Sequence, residues 1–237
     1  MTSGRTVLAL EFRGVGDTAD FGFLSREASS AVLSRVDPLV QHLGGPLTLP
    51  EQARLLIDAL PEPPGLVLSY CGTAGLGLHV AALTDAESVL VDPYPVTSDD
   101  MRRDFANLCA SLGIAPTGLV APGADPDVAR WEKALWQARD GMAEVHGGDE
   151  DAYELVDDLL DRYRAWLRFL QASRVAGPVT ARGSVSVVTA KSEVPLQDLL
   201  VFADSVEVHR VEAGTGILNS AEARALLSAA VLRHSGK

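Results

Sequence analysis

Short apolar runs alternate with helix-like periods along this chain. Thr6-Val7-Leu8-Ala9-Leu10-Glu11-Phe12 reads as a buried strand that stops at Arg13-Gly14-Val15-Gly16. Residues 24–43 carry Leu33, Val36, Leu39, Val40 and Leu43 near helical spacing, which predicts a partly helical stretch ended by Gly44-Gly45-Pro46. Thr48 opens a second helix, with Glu51 three positions on as in a capping box and Leu55, Leu56 and Leu60 as its apolar side. Gly65-Leu66-Val67-Leu68-Ser69-Tyr70 is a strand that turns at Cys71-Gly72-Thr73-Ala74-Gly75 into a small-residue helix over 76–83, and Ser88-Val89-Leu90-Val91-Asp92 is the next strand. Strand, helix, strand in this order argues for parallel pairing through a right-handed crossover.

Residues 98–175 read as mostly helical. Ser98 is the expected cap of a helix whose first turn holds Asp99 and Asp100 and whose apolar side is Phe105, Leu108, Cys109 and Leu112. A polar break at 147–151 precedes a long amphipathic helix from about Tyr153 to Ser173. The sheet resumes at 184–190 and 206–211, and a helix over 220–233 closes the chain. The expected architecture is a single α/β domain over 1–237, a mostly parallel sheet flanked by helices, with a helical insertion at about 98–175.

Composition narrows the function classes. With 237 residues and 47% hydrophobic content, one sizeable core is available. A net charge of −12 lacks the electrostatic footprint of a nucleic-acid binder. No apolar run approaches the roughly 20 residues of a membrane helix. The first residues show no signal pattern, so a cytoplasmic protein is expected. His42, His79, His146, His209 and His234 are scattered and no Cys/His cluster has metal-ligand spacing, so no metal site is expected. Cys109 reads as core. Trp131, Trp136, Tyr153 and Trp166 read as packing residues or as the lining of a chamber in the insertion.

One segment carries candidate chemistry. A nucleophile on a strand-to-helix elbow is pushed clear of the sheet, sits at a helix N-terminus, and has the next residue's N–H available for an oxyanion. The crowded turn requires small residues two before and two after it. Ser69 and Thr73 hold those positions around Cys71; Ser69 fits well, and Thr73 is bulkier than the usual glycine. Taking Ser69 itself as the nucleophile fails, because Val67 and Cys71 would flank it.

Through Leu66–Gly75 and through Val89-Leu90-Val91-Asp92-Pro93-Tyr94-Pro95, the chain resembles the thioesterases of polyketide and nonribosomal-peptide assembly lines. The resemblance runs from about residue 48 to the end. It implies an α/β-hydrolase-like fold in which 98–175 is the lid over an acyl-binding chamber. It implies Cys71 as nucleophile, Asp92 as the triad acid, and the N–H groups of Gly72 and Val15 as the oxyanion hole. The implied partner is an acyl or peptidyl carrier protein whose phosphopantetheine bears a small-molecule acyl substrate, with no resident cofactor.

The family's base, a histidine in a Gly-x-His loop, is missing. Glu212-Ala213-Gly214-Thr215-Gly216 stands there, with Thr215 or Gly214 at the histidine position. His209 lies six residues earlier, roughly 20 Å away along an extended strand. His79 is two helical turns past Cys71 and points away from the elbow, and His146 lies in the insertion. A thiol can still capture an acyl group, but activating water without a base is harder. Transfer to another thiol, or cyclisation within the substrate, is therefore expected over plain hydrolysis. A non-covalent cyclase and a catalytically inactive scaffold remain open alternatives.

Overall fold

A computed structural model describes residues 6–12, 20–26, 33–42, 44–116, 118–121, 123–214 and 216–234. The strands are β1 (Thr6–Leu10), β2 (Leu33–Val36), β3 (Pro64–Tyr70), β4 (Glu87–Val91), β5 (Val179–Thr180), β6 (Ser184–Thr189), β7 (Leu200–Phe202) and β8 (Ser205–Arg210). The helices are α1 (Leu39–His42), α2 (Leu49–Ala59), α3 (Ala74–Thr84), α4 (Ser98–Ser111), α5 (Val128–Gln137), α6 (Arg139–Val145), α7 (Glu150–Val175) and α8 (Ala221–His234). The chain divides into two compact units. One comprises 1–38, 48–95 and 176–237, the other 39–47 and 96–175.

The first unit is built on a six-stranded, wholly parallel sheet in the order β2-β1-β3-β4-β6-β8. A parallel sheet is covered on both faces, so its inner strands read as continuous apolar runs. All five residues of β1 are buried. Val7, Ala9, Leu66, Leu68, Val89, Val91 and Val188 pack with Leu227, Ala230 and Val231 of α8. Leu90, Val185 and Val187 face the other way, with Ala74 and Leu78 of α3. The strand order reverses between β1, which leads to β2 on one side, and β3, which leads to β4 on the other. Ligands of open parallel sheets bind at the carboxyl ends of the strands beside such a switch point.

Several local expectations are corrected. Leu33 and Val36, read as helical, lie in the edge strand β2 beside β1. Leu43 falls outside the described residues. The Thr48–Glu51 capping box forms, with Thr48 N–H donating to Glu51 Oε2 at 2.8 Å. The buried side of α2, however, is Leu49, Gln52, Ala53 and Leu56, and Leu55 is exposed. Thr97, not Ser98, caps α4, because its hydroxyl accepts the Asp100 N–H at 3.2 Å while Asp100 returns a carboxylate.

The second unit contains the helical insertion expected for 98–175, together with residues 39–47. Its core joins Met101, Phe105, Leu108, Cys109, Trp131 and Leu135 to α7 through Val156, Leu160 and Leu167. Cys109 is fully buried there, and burial pushes its thiol pKa up. Trp131 is a packing residue, stacked on Phe105 at 4.4 Å with its Nε1–H donated to Leu119 O at 2.9 Å. Trp136 is half exposed between the guanidinium groups of Arg139 and Arg164. Arg168 donates to both oxygens of Glu132 and to His42 O at 3.0 Å, which fastens α1 to α7. No helix among the described residues is long and apolar enough to cross a membrane.

Candidate active site

β3 runs straight into a single 3-10 turn, Cys71–Thr73, and then into α3. Cys71 has φ +53°, in the left-handed region that non-glycine residues adopt at a cost of about 1–3 kcal/mol. This reversal is what an elbow requires. The chain leaves the sheet at one residue and starts a helix at the next, with that residue's side chain on the outside of the bend.

Three features shape this end of the sheet. Thr73 is fully buried, and its hydroxyl accepts the Tyr70 N–H at 3.0 Å and lies 2.9 Å from Tyr70 O and 3.1 Å from Leu10 O. A threonine at this crowded position is therefore a clasp. It ties the end of β3 to the turn and to β1, which glycine cannot do. Gly77 gives α3 its close approach to the sheet, since a Cβ there would sit 1.8 Å from Ser69 Oγ. Just past β1, the buried Glu11 accepts Phe21 N–H at 2.7 Å and Arg35 Nε–H at 2.6 Å, and Arg35 also reaches Asp20 at 2.6 Å. That cluster fixes Asp20 and Phe21 to the carboxyl ends of β1 and β2.

Register brings the candidate residues together. Tyr70 pairs with Val91, and Val91 with Val188. Cys71 and Asp92 are the residues that directly follow the paired Tyr70 and Val91, and Thr189 follows Val188 at the end of β6. Asp92 is also left-handed, at φ +47°, and its N–H donates to Val188 O at 2.8 Å. The strand ends at Asp92 as abruptly as its neighbour ends at Cys71.

The Asp92 carboxylate is engaged from the β6 side. Oδ1 accepts the Thr189 hydroxyl at 2.9 Å, and the Lys191 ammonium lies 3.5 Å from Oδ2. Lys191 N–H donates to Thr189 Oγ1 at 3.0 Å, so the turn after β6 folds around the carboxylate. Among the described residues, the partners of Asp92 are thus a hydroxyl and an ammonium, and no histidine. Sequence reasoning missed both residues. Only Lys191 gave a signal, as one of three lysines in the chain, placed two residues past a strand end.

The histidines stand elsewhere. His209 is on β8, level with Val188 and 3.6 Å from Glu207. His79, on α3, is mostly buried, its Nε2 has no hydrogen-bond partner, and burial lowers its pKa. His146 caps the end of α6 and lines a cavity of about 780 Å³ in the helical unit, with Leu112, Ile114, Met142 and Leu159. Val15 and Thr215 lie outside the described residues, and Gly72 is buried in the turn after Cys71. No group of three or more metal-ligating side chains occurs among the described residues.

The sequence matches no family model and no curated protein. Solved structures, by contrast, match along nearly the whole chain. The Vlm2 thioesterase domain bound with a dodecadepsipeptide aligns with 98% of this chain and 94% of its own, at TM-score 0.50 and 13% identity. The NocB thioesterase domain in covalent complex with a fluorophosphonate nocardicin G analogue aligns with 100% and 96%, at TM-score 0.53 and 16% identity. RedJ, a thioesterase from the prodiginine biosynthetic pathway in Streptomyces coelicolor, aligns with 98% and 91%, at TM-score 0.50 and 16% identity. At such identities the likeness is one of fold, and the chain has the α/β-hydrolase architecture of these thioesterases.

Proposed function

We propose that this protein is a thioesterase-like enzyme of polyketide or nonribosomal-peptide biosynthesis. It acts on an acyl thioester carried on the phosphopantetheine of an acyl or peptidyl carrier protein. The single observation that carries this reading is the left-handed Cys71 on the bend between β3 and α3, beside the strand-order switch. Strain of this kind persists where the surrounding structure enforces it, and it concentrates at functional sites. Thioesterase-fold neighbours support the substrate class.

In this reading the Cys71 thiolate attacks the thioester carbonyl, and the Gly72 N–H meets the oxyanion. The carbon–sulfur bond to the pantetheine breaks and its thiolate leaves, taking up a proton. The acyl group now rests on Cys71. A second thiol, or a nucleophile within the substrate, then attacks that carbonyl. Its proton passes to the departing Cys71 sulfur. Water is the poor acceptor, because Asp92 is held by Lys191 and Thr189 and orients no imidazole.

The test uses acyl-pantetheine thioesters with and without an acceptor thiol, with both products measured by mass spectrometry. Transfer to the acceptor is expected to exceed hydrolysis by at least about tenfold, and both should vanish in Cys71→Ala. Hydrolysis as fast as transfer would contradict the transfer reading. Cyclic product from Cys71→Ala would favour the non-covalent cyclase, and inertness towards all thioesters an inactive scaffold.

A further inference from the structure

We propose that Lys191 is the charge-compensating residue of this site: its ammonium neutralises the carboxylate that the fold sets beside Cys71, and so keeps the thiol reactive. The inference rests on the reading of Cys71 as nucleophile and deepens it.

A nucleophilic cysteine works as thiolate, and a neighbouring anion opposes that ionisation. Tyr70 and Val91 are paired, so Cys71 and Asp92, one residue beyond each, lie within roughly 12 Å Cα to Cα, a range over which an uncompensated charge acts. A hydrolase with an imidazolium between acid and nucleophile has its compensation built in. Here the Asp92 oxygens go to Thr189 and Lys191 instead. The ammonium also lies 5.5 Å from the centroid of the Tyr94 ring, and the backbone N–H of Lys191 is tied to Thr189. An ammonium has three donors and no acceptor, so it can pair Asp92 and still present a donor to an incoming anion.

Among the other charged groups at this end of the sheet, Glu11, just past β1, is paired with Arg35, while Asp37, Glu193 and Glu212 follow the ends of β2, β6 and β8. Arg210, at the end of β8, donates to Ser192 O at 3.1 Å. The first turn of α3 carries no charged residue, and its His79 is held towards the neutral form by burial. Lys191 is thus the cation facing Asp92 among the described residues. Its side chain is 41% exposed and that of Asp92 26%, so salt should weaken the effect without abolishing it.

The test is the pH dependence of Cys71 alkylation by iodoacetamide at low salt, followed on the Cys71 peptide by mass. Cys109, buried in the helical unit, reports any loss of structure in the same samples. Lys191→Met is expected to move the Cys71 profile to higher pH and slow alkylation at pH 7 about three- to tenfold. Lys191→Arg should retain the parent profile, and Asp92→Asn combined with Lys191→Met should restore it. A Lys191→Met profile that superposes on the parent would overturn the inference, as would a double variant as slow as the single one. Alkylation needs no acyl substrate, so a protein that accepts no thioester still gives this readout. Failure of the thioester reading and failure of the compensating role are therefore distinguishable.

Discussion

Gly77→Leu is expected to remove at least about 4 kcal/mol of stability, a large part of what a domain of this size possesses. The Cβ alone would lie 1.8 Å from Ser69 Oγ and 3.0 Å from Ser69 Cβ. Ser69 sits in β3, hydrogen-bonded on both sides to β1 and β4, so the strand cannot retreat. The helix must lift off, and its N-terminal turn is the elbow itself. Gly77→Ala is the graded version, with an expected cost of about 1–3 kcal/mol from overpacking.

Ser69 Oγ is buried without a hydrogen-bond partner, so Ser69→Ala should be nearly neutral or slightly stabilising. It also removes the worst contact. Gly77→Ala should therefore cost about 1 kcal/mol less in the Ser69→Ala background, a coupling that urea unfolding of the four proteins would show. Additive effects would mean that helix and strand do not meet as described. The close approach also holds the positive end of α3 at the turn that carries Cys71.

Cys71→Gly should be the more stable of two inactive variants. Glycine pays no Cβ penalty at φ +53°, whereas alanine keeps the strain of the parent. Glycine also loses more chain entropy on folding, by roughly 0.4–1 kcal/mol, and this offsets part of the roughly 1–2 kcal/mol relieved. The net expectation is a gain of several tenths to about 1 kcal/mol for Cys71→Gly over Cys71→Ala, or a melting temperature higher by about 1–4 °C. Both variants should fail to take an acyl group. Stability and activity would then trade at one residue, as expected where strain serves a site. An alanine variant as stable as the glycine variant would mean the bend carries no strain.

Much of this architecture is legible in the sequence because parallel strands are continuous apolar runs. β1, β3 and β4 show directly, and the small residues from Gly72 to Gly77 mark the turn and the close helix that follows. β2 is not legible. Its four residues are all half-buried at a sheet edge, and Leu33, Val36 and Val40 mimic a helical period. β5 and β7 have only two and three residues, too short for a pattern. The exposure of Leu55 depended on which way α2 rolls against its neighbours, and tertiary packing sets that.

The places of Cys71 and Asp92 at strand ends could be read from local sequence, because each follows an apolar run directly. Thr73 could be read only as a poor fit to the turn, since its role as a clasp depends on Leu10 O, 63 residues away. The pairing of Asp92 with Thr189 and Lys191 depends on β6 lying beside β4, across the whole helical insertion. Nothing in the order of residues announces that neighbour, and the Asp92 carboxylate faces a hydroxyl and an ammonium there.

Acyl transfer from a thioester to Cys71, as proposed, is read most directly by intact-mass measurement after incubation with a short acyl-pantetheine thioester. The expected result is a mass increase of one acyl group on the parent protein, located on the Cys71 peptide and absent from Cys71→Ala. An adduct that persists in Cys71→Ala, or a parent protein that turns the thioester over with no dependence on Cys71, would contradict it.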